Sequence, residues 1–154
     1  SPDELPAHEA LATLLRQAGR LTEARTCYES LVRLQPNQAA SHLNLGTLLL
    51  ELKDYPAAVQ AMKAALAIDP KQPQALGNLA RFYLANRREL PKALELTRRL
   101  VEARPVAANY DLLGWALFAN GQTNEARAAA RQAVDLEPTN TGYRARFERL
   151  RALP

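Results

Sequence analysis

Among its 154 residues the sequence has one cysteine, one methionine and one tryptophan. A lone thiol excludes an internal disulfide framework. It fits a reducing cytoplasm and is equally compatible with a periplasm, so the compartment stays open. No run of 18 apolar residues occurs, and no membrane-spanning helix is expected. No charged-then-apolar leader of the signal-peptide kind opens the chain. The chain starts Ser1–Pro2, which suggests one domain cut or processed from a larger protein, expected to be bacterial. No segment alternates apolar and polar residues over a useful length, so no sheet is expected.

Catalytic signatures are also missing. There is no G-x-G-x-x-G, no P-loop, no H-E-x-x-H and no C-x-x-C. Cys27 falls mid-helix without a visible His–Asn partnership, which suits a partly buried thiol better than a nucleophile. His8 and His42 are the two histidines. On adjacent stacked helices they would stand about 10 Å apart, too far to share one metal without further ligands. They are expected to pack. Neither a metal nor any other cofactor is expected. The net charge is +4 with a pI near 9.5. Basic pairs stand at Arg87–Arg88 and Arg98–Arg99, but they are interleaved with Glu, and stacking aromatics are scarce. A solvated helical surface explains them better than nucleic-acid binding.

What the chain does have is a repeated unit. The stretch from Ala39 to Gln72 consists of two short amphipathic helices, a turn at Leu52–Tyr55, and a second turn at Asp69–Pro70. Its anchor pair Leu45–Gly46 recurs, with Ala allowed for Gly, at Leu11–Ala12, Leu79–Ala80 and Leu113–Gly114, always 34 residues apart. Two further columns stay in phase: Ala24, Ala58, Ala93, Ala126, and Pro36, Pro70, Pro105, Pro138. Their spacings of 34, 35 and 33 place one extra residue near Asn86–Leu90, with a loop one residue shorter after Pro105. The small residues let the two helices of a unit approach. Each proline stops a second helix, because it lacks the N–H and clashes with the preceding turn.

This pattern resembles the tetratricopeptide repeat family over roughly residues 5 to 140. The match rests on Leu45, Gly46, Tyr55, Ala58, Ala65 and Pro70 in the second copy. In the fourth copy it rests on Leu113, Gly114, Gly121, Ala126, Ala133 and Pro138. The resemblance implies an all-α, right-handed α-solenoid of four helix-turn-helix units in a single domain, 1–154. The units are placed at about 5–38, 39–72, 73–106 and 107–140. Each leaves apolar surface that the next must cover.

In chain order, 1–5 is a lead-in, and the first helix runs from Pro6 to Gln17 with Leu11, Leu14 and Leu15 inward. Gly19 suits a left-handed helix end, and Thr22 a cap for a helix carrying Ala24, Tyr28, Leu31 and Leu34. Pro56 fits the first turn of its helix. The third unit places Leu76, Leu79, Tyr83 and Leu84 on its first helix, and its second helix runs from Leu90–Pro91 to Arg104. In the fourth unit, Tyr110, Leu113 and Leu117 lead to a helix capped by Thr123. A capping helix at 141–153 carries Tyr143, Phe147 and Leu150 on one stripe. Arg144, Arg146, Arg149 and Arg151 lie off that stripe and give the end of the array a polar face.

In the resembled family the first helices line a concave groove that holds an extended peptide or a partner helix. The register assigns columns to that face. One is Glu9, Leu43, Gly77, Asp111. The next is Ala10, Asn44, Asn78, Leu112. A third is Thr13, Thr47, Arg81, Trp115, and a fourth is Arg16, Leu50, Leu84, Phe118. Asn44 and Asn78 each offer a donor and an acceptor suited to a peptide backbone. The carboxylate clamp of the chaperone-binding subfamily is only partly present. Asn44 and Arg81 match, whereas Glu9 and Gly77 replace lysines and Thr13 replaces an asparagine. A chaperone-tail receptor is therefore not expected. Trp115 shares its column with two threonines and an arginine, which places it on the groove wall instead of in the core. The expected site is Asn44, Thr47, Leu50, Asn78, Arg81, Leu84, Trp115 and Phe118. The expected function is non-catalytic binding of a protein or peptide, with no small-molecule substrate, by a monomer or weak self-associator. The alternatives are a substrate-recognition arm of an enzyme such as a glycosyltransferase, and a self-assembling scaffold.

Overall fold

The computed structural model describes residues 4–153, with side chains described from Leu5. Among them are nine α-helices and no strand. They are α1 (Glu4–Gln17), α2 (Leu21–Leu34), α3 (Ala39–Glu51), α4 (Tyr55–Ile68), α5 (Pro73–Ala85), α6 (Leu90–Ala103), α7 (Ala107–Ala119), α8 (Thr123–Leu136) and α9 (Thr141–Arg151). Of the expected lead-in, positions 1–3 lie outside the described residues, while Glu4 and Leu5 already belong to α1. Eight helices make four helix-turn-helix copies in an all-α solenoid fold, and α9 follows them.

The turns show why the period varies. Residues 18–20, 52–54 and 120–122 join the helices of three copies, and the middle residue of each is left-handed: Gly19 (φ 76°), Lys53 (φ 60°) and Gly121 (φ 78°). The third copy has the extra residue. Its turn, 86–89, takes two left-handed residues, Arg87 (φ 50°) and Glu89 (φ 48°). The following connection, 104–106, is one residue shorter than its counterparts. Each column proline stands two residues beyond the end of a helix.

The capping expectations at Thr22 and Thr123 need correction. The left-handed glycine starts the next helix sooner, by two residues at Thr22 and one at Thr123, so Arg20 and Gln122 hold the cap positions and make no side-chain cap bond. At the equivalent position Asp54 accepts from the Ala57 N–H. Asn140 caps α9 by accepting from Gly142 and Tyr143.

The chain divides within α5 into two compact units, Ser1–Ala75 and Leu76–Pro154. In the first, Ala12, Leu15, Ala24, Tyr28, Leu31 and Leu48 form one cluster, with Leu45 and Cys27 packed against it. The α3 leucines thus dock on the α1–α2 hairpin. Leu11 and Leu14 hold the same two columns in the first copy, yet they are 47% and 62% exposed. They are not inward, as the sequence suggested, because those columns pack on a preceding hairpin. Leu34 is likewise exposed, as are Ile68 and Leu136, which close α4 and α8. At Gly46 an added Cβ would lie 3.0 Å from Met62 Cγ and 3.3 Å from Ala61 Cβ, so α3 and α4 meet at the smallest possible residue.

In the second unit, Leu79, Tyr83, Leu84, Leu100, Leu112 and Leu117 are buried, as are the column alanines Ala93 and Ala126. Buried Thr97 donates to the Leu94 carbonyl, and Asn109 donates to that of Arg104 across the shortened connection. Helix α9 packs on α8 with Tyr143, Phe147 and Leu150 half-buried. Arg127 of α8 fastens its end, donating to the carbonyls of Leu150 (2.8 Å) and Leu153 (2.6 Å). The Leu150 carbonyl also accepts from the Leu153 N–H at 3.4 Å, and a cation at a helix C-terminus meets the negative end of the helix dipole.

Candidate functional site

The expected site residues divide between the two units. In the first, Asn44, Thr47 and Leu50 are half-buried on α3. The Thr47 hydroxyl donates to the Leu43 carbonyl at 2.9 Å, which commits its proton to the helix itself. In the second, Asn78 is half-buried and Arg81 exposed on α5. Leu84 is only 3% exposed and belongs to the core, so it leaves the set of surface candidates. Its column runs along the margin of the apolar stripe: Arg16 and Leu50 are half-buried, Leu84 is buried and Phe118 is exposed.

Trp115 and Phe118 are each 45% exposed. They lie three residues apart on α7 and therefore on one face. Two clefts flank Trp115. One, of about 420 Å³, has an apolar floor of Gly114, Phe118, Ala130, Leu150 and Leu153, with Arg146 and Arg149 at its edge. The other, of about 490 Å³, lies between Arg81, Ala108, Leu112, Tyr143 and Arg146. Trp115 and Asp111 border both.

Charge around these clefts is unevenly satisfied. Arg146 Nε donates to Asp111 Oδ1, and its guanidinium lies 5.5 Å from the Tyr143 ring centroid. Partial burial raises the Tyr143 phenol above its ordinary range, helped by the carboxylates of Glu137 and Asp111. Arg81 and Arg149 have neither an ion pair nor a hydrogen-bonding partner among the described residues. An added Cβ at Gly77 would lie 3.3 Å from Arg81 Nη1, so this glycine seats the guanidinium one turn below its own Cα.

Sequence reasoning missed Arg146, Arg149, Leu150 and Leu153 because it treated α9 only as a cover. The signal was present in the repeat. One more step of 34 residues from Trp115 reaches Arg149, and one from Leu112 reaches Arg146. Helix α9 continues the first-helix columns.

Elsewhere, a His42 ring nitrogen lies 2.9 Å from the Pro36 carbonyl, and Cys27 is half-buried beside the first core cluster. Among the described residues no three His, Cys, Asp or Glu side chains are grouped to hold a metal ion. Nor is any helix long and apolar enough to cross a membrane.

Four helical hairpins in a 34-residue register, with aromatic and arginine side chains displayed on the first helices, define a helical-repeat protein of the interaction class. The chain belongs to the tetratricopeptide repeat family. Tetratricopeptide repeat models match residues 9–73, 49–116 and 107–140. Members of this family typically serve as protein–protein interaction modules and are generally non-catalytic. No curated protein matches the chain significantly. Among solved structures, MamA residues 41 to the end from Desulfovibrio magneticus RS-1 superposes with a TM-score of 0.87 at 24% identity, covering 96% of this chain and 84% of that one. A MamA RS-1 double mutant gives 0.88 at 24% identity, covering 96% and 83%. The thermophilic repeat protein TTC0263 of Thermus thermophilus gives 0.73 at 19%, covering 99% and 84%. At these identities the likeness is one of fold.

Proposed function

We propose that this chain is a non-catalytic recognition module that binds a peptide or partner helix on the face carrying Asn78, Arg81, Trp115 and Phe118. The observation that carries this reading is the exposure of two large aromatics side by side on α7. An indole and a phenyl ring left half in water on one helix face forgo burial worth about 1.5–3 kcal/mol for a large apolar side chain. Exposed aromatic pairs beside clefts are the usual anchors of interfaces.

The test is Trp115→Ala, followed for both melting temperature and binding of peptides selected against the intact chain. Loss of binding with a nearly unchanged melting point supports the reading, and unaltered binding refutes it. A second reading, end-to-end self-assembly, has its own observation in the exposed Leu11–Leu14 stripe of α1. Sedimentation of the unliganded chain over a concentration series separates the two.

A further inference from the structure

We propose that the two clefts flanking Trp115 form one site for an acidic peptide segment bearing a single large apolar side chain. The inference rests on the recognition function above and specifies its ligand. The apolar side chain enters the cleft between α7 and α9, over Gly114, Phe118, Leu150 and Leu153. The peptide backbone crosses the indole of Trp115. Carboxylates on either side reach Arg81 and Arg149.

Three observations select this ligand. First, the charge is lopsided. Three guanidinium groups, Arg81, Arg146 and Arg149, border the clefts against the single carboxylate of Asp111, which Arg146 already holds. Arg81 and Arg149, the pair without internal acceptors, are left to serve a ligand, and guanidinium forks suit carboxylates in two-point contact. Second, the repeat register sets Arg81, Trp115 and Arg149 in one column on α5, α7 and α9, so the aromatic platform lies between the two cations. Third, the floor of the α7–α9 cleft is aliphatic and aromatic with a glycine at its base, which accepts a Phe or Leu side chain and offers nothing to a sugar or phosphate. That floor, which has no polar side chain to meet a base edge, favours a peptide over a single-stranded nucleic acid.

Helix α9 thereby acquires a second role. It covers α8 with one stripe, and with Arg146, Arg149 and Leu150 it builds a wall of the site. Arg127 keeps that wall in place through the Leu150 and Leu153 carbonyls.

The probes are fluorescein-labelled decapeptides measured by anisotropy against the intact chain. The first has a central phenylalanine flanked by glutamates, the second the same phenylalanine flanked by lysines, and the third alanine in the glutamate frame. A labelled decamer of uridine serves as the nucleic-acid arm. The first peptide should bind, the third at least tenfold more weakly, and the second not at all. Trp115→Ala should weaken the first about thirtyfold. Arg81→Ala with Arg149→Ala should weaken it about tenfold and flatten its salt dependence, while lysine at both positions should retain most of that salt dependence. Melting curves confirm that each variant folds.

No binding of the glutamate–phenylalanine peptide, equal binding of the lysine peptide, indifference to Trp115→Ala, or tighter binding of the uridine decamer would each overturn the proposal. A selection of random displayed peptides against the same chain separates the two levels of the argument. Binders that need Trp115 but show no acidic bias refute this ligand and leave the recognition function standing. A selection that yields no binder removes both.

Discussion

At the scale of single residues, exposure decides what a substitution will do. Trp115 is 45% exposed, so Trp115→Ala should cost about 1 kcal/mol, a melting shift of about 2–4 °C. A buried tryptophan would cost about 3–5 kcal/mol. The two helix-contact glycines should part company. At Gly114 an added Cβ meets nothing closer than 3.4 Å, and the helix gains from alanine, so Gly114→Ala should be neutral or stabilising by up to about 1 kcal/mol. At Gly46 the 3.0 Å approach to fully buried Met62 sets an overpacking cost of about 1–3 kcal/mol against that gain, so Gly46→Ala should melt lower than Gly114→Ala. Tyr143 gives a pH test. Its folded-state phenol is held above its ordinary value of 10.0, chiefly by burial. The stability it contributes is complete below that value and is lost as pH rises through the raised one. In alkaline melts the wild type should lose stability faster than Tyr143→Phe.

At the scale of helices and turns, the repeat explains itself by internal comparison. Gly19 and Gly121 occupy the left-handed turn position that Lys53 and Arg87 also occupy. A side chain there costs about 1 kcal/mol, so Lys53→Gly and Arg87→Gly should each raise stability by up to about that much in chemical denaturation. Helix α9 depends on one residue of its neighbour. Arg127→Ala removes the guanidinium contacts to the Leu150 and Leu153 carbonyls and should speed amide exchange across 141–153 while sparing α1–α4.

The helices, their breaks and the extra residue at 86–89 were legible in the sequence, because small-residue and proline columns are direct consequences of helix contact and termination. The caps at Thr22 and Thr123 were not. A glycine that turns the chain early moves the helix start by one or two residues, and no side-chain propensity encodes that shift. The inward assignment of Leu11 and Leu14 failed for another reason: periodicity identifies a face without saying whether a neighbour exists to cover it. The exposure of Trp115 was legible from the polarity of its column, whereas the α9 side of the clefts beside it was hidden by treating the last helix as a cover.

At the scale of the whole molecule, the exposed stripe of α1 and the charge balance set its behaviour in solution. Ala7, Leu11, Leu14 and Ala18 follow one another at helical spacing, and all are exposed. This is the kind of face that in the second copy is buried against a hairpin. Weak self-association that grows with protein concentration is expected. The double variant Leu11→Glu, Leu14→Lys should abolish it with less than about 1 kcal/mol change in stability. A wild type that sediments as a monomer at every concentration would remove the self-assembly reading.

The column of Arg81, Trp115 and Arg149 has a metrical consequence. One turn of polyproline II advances about 9 Å in three residues and returns to the same face, on the scale of the roughly 10 Å between packed helices. A flat strand, with its two-residue alternation, would turn every second contact away from the column. If the proposed peptide lies along the column, the column acts as a ruler with a three-residue division. It favours a ligand in the polyproline II conformation, acidic at one position, apolar three residues on and acidic again three after that. Moving the second acid by one residue should cost more affinity than exchanging aspartate for glutamate.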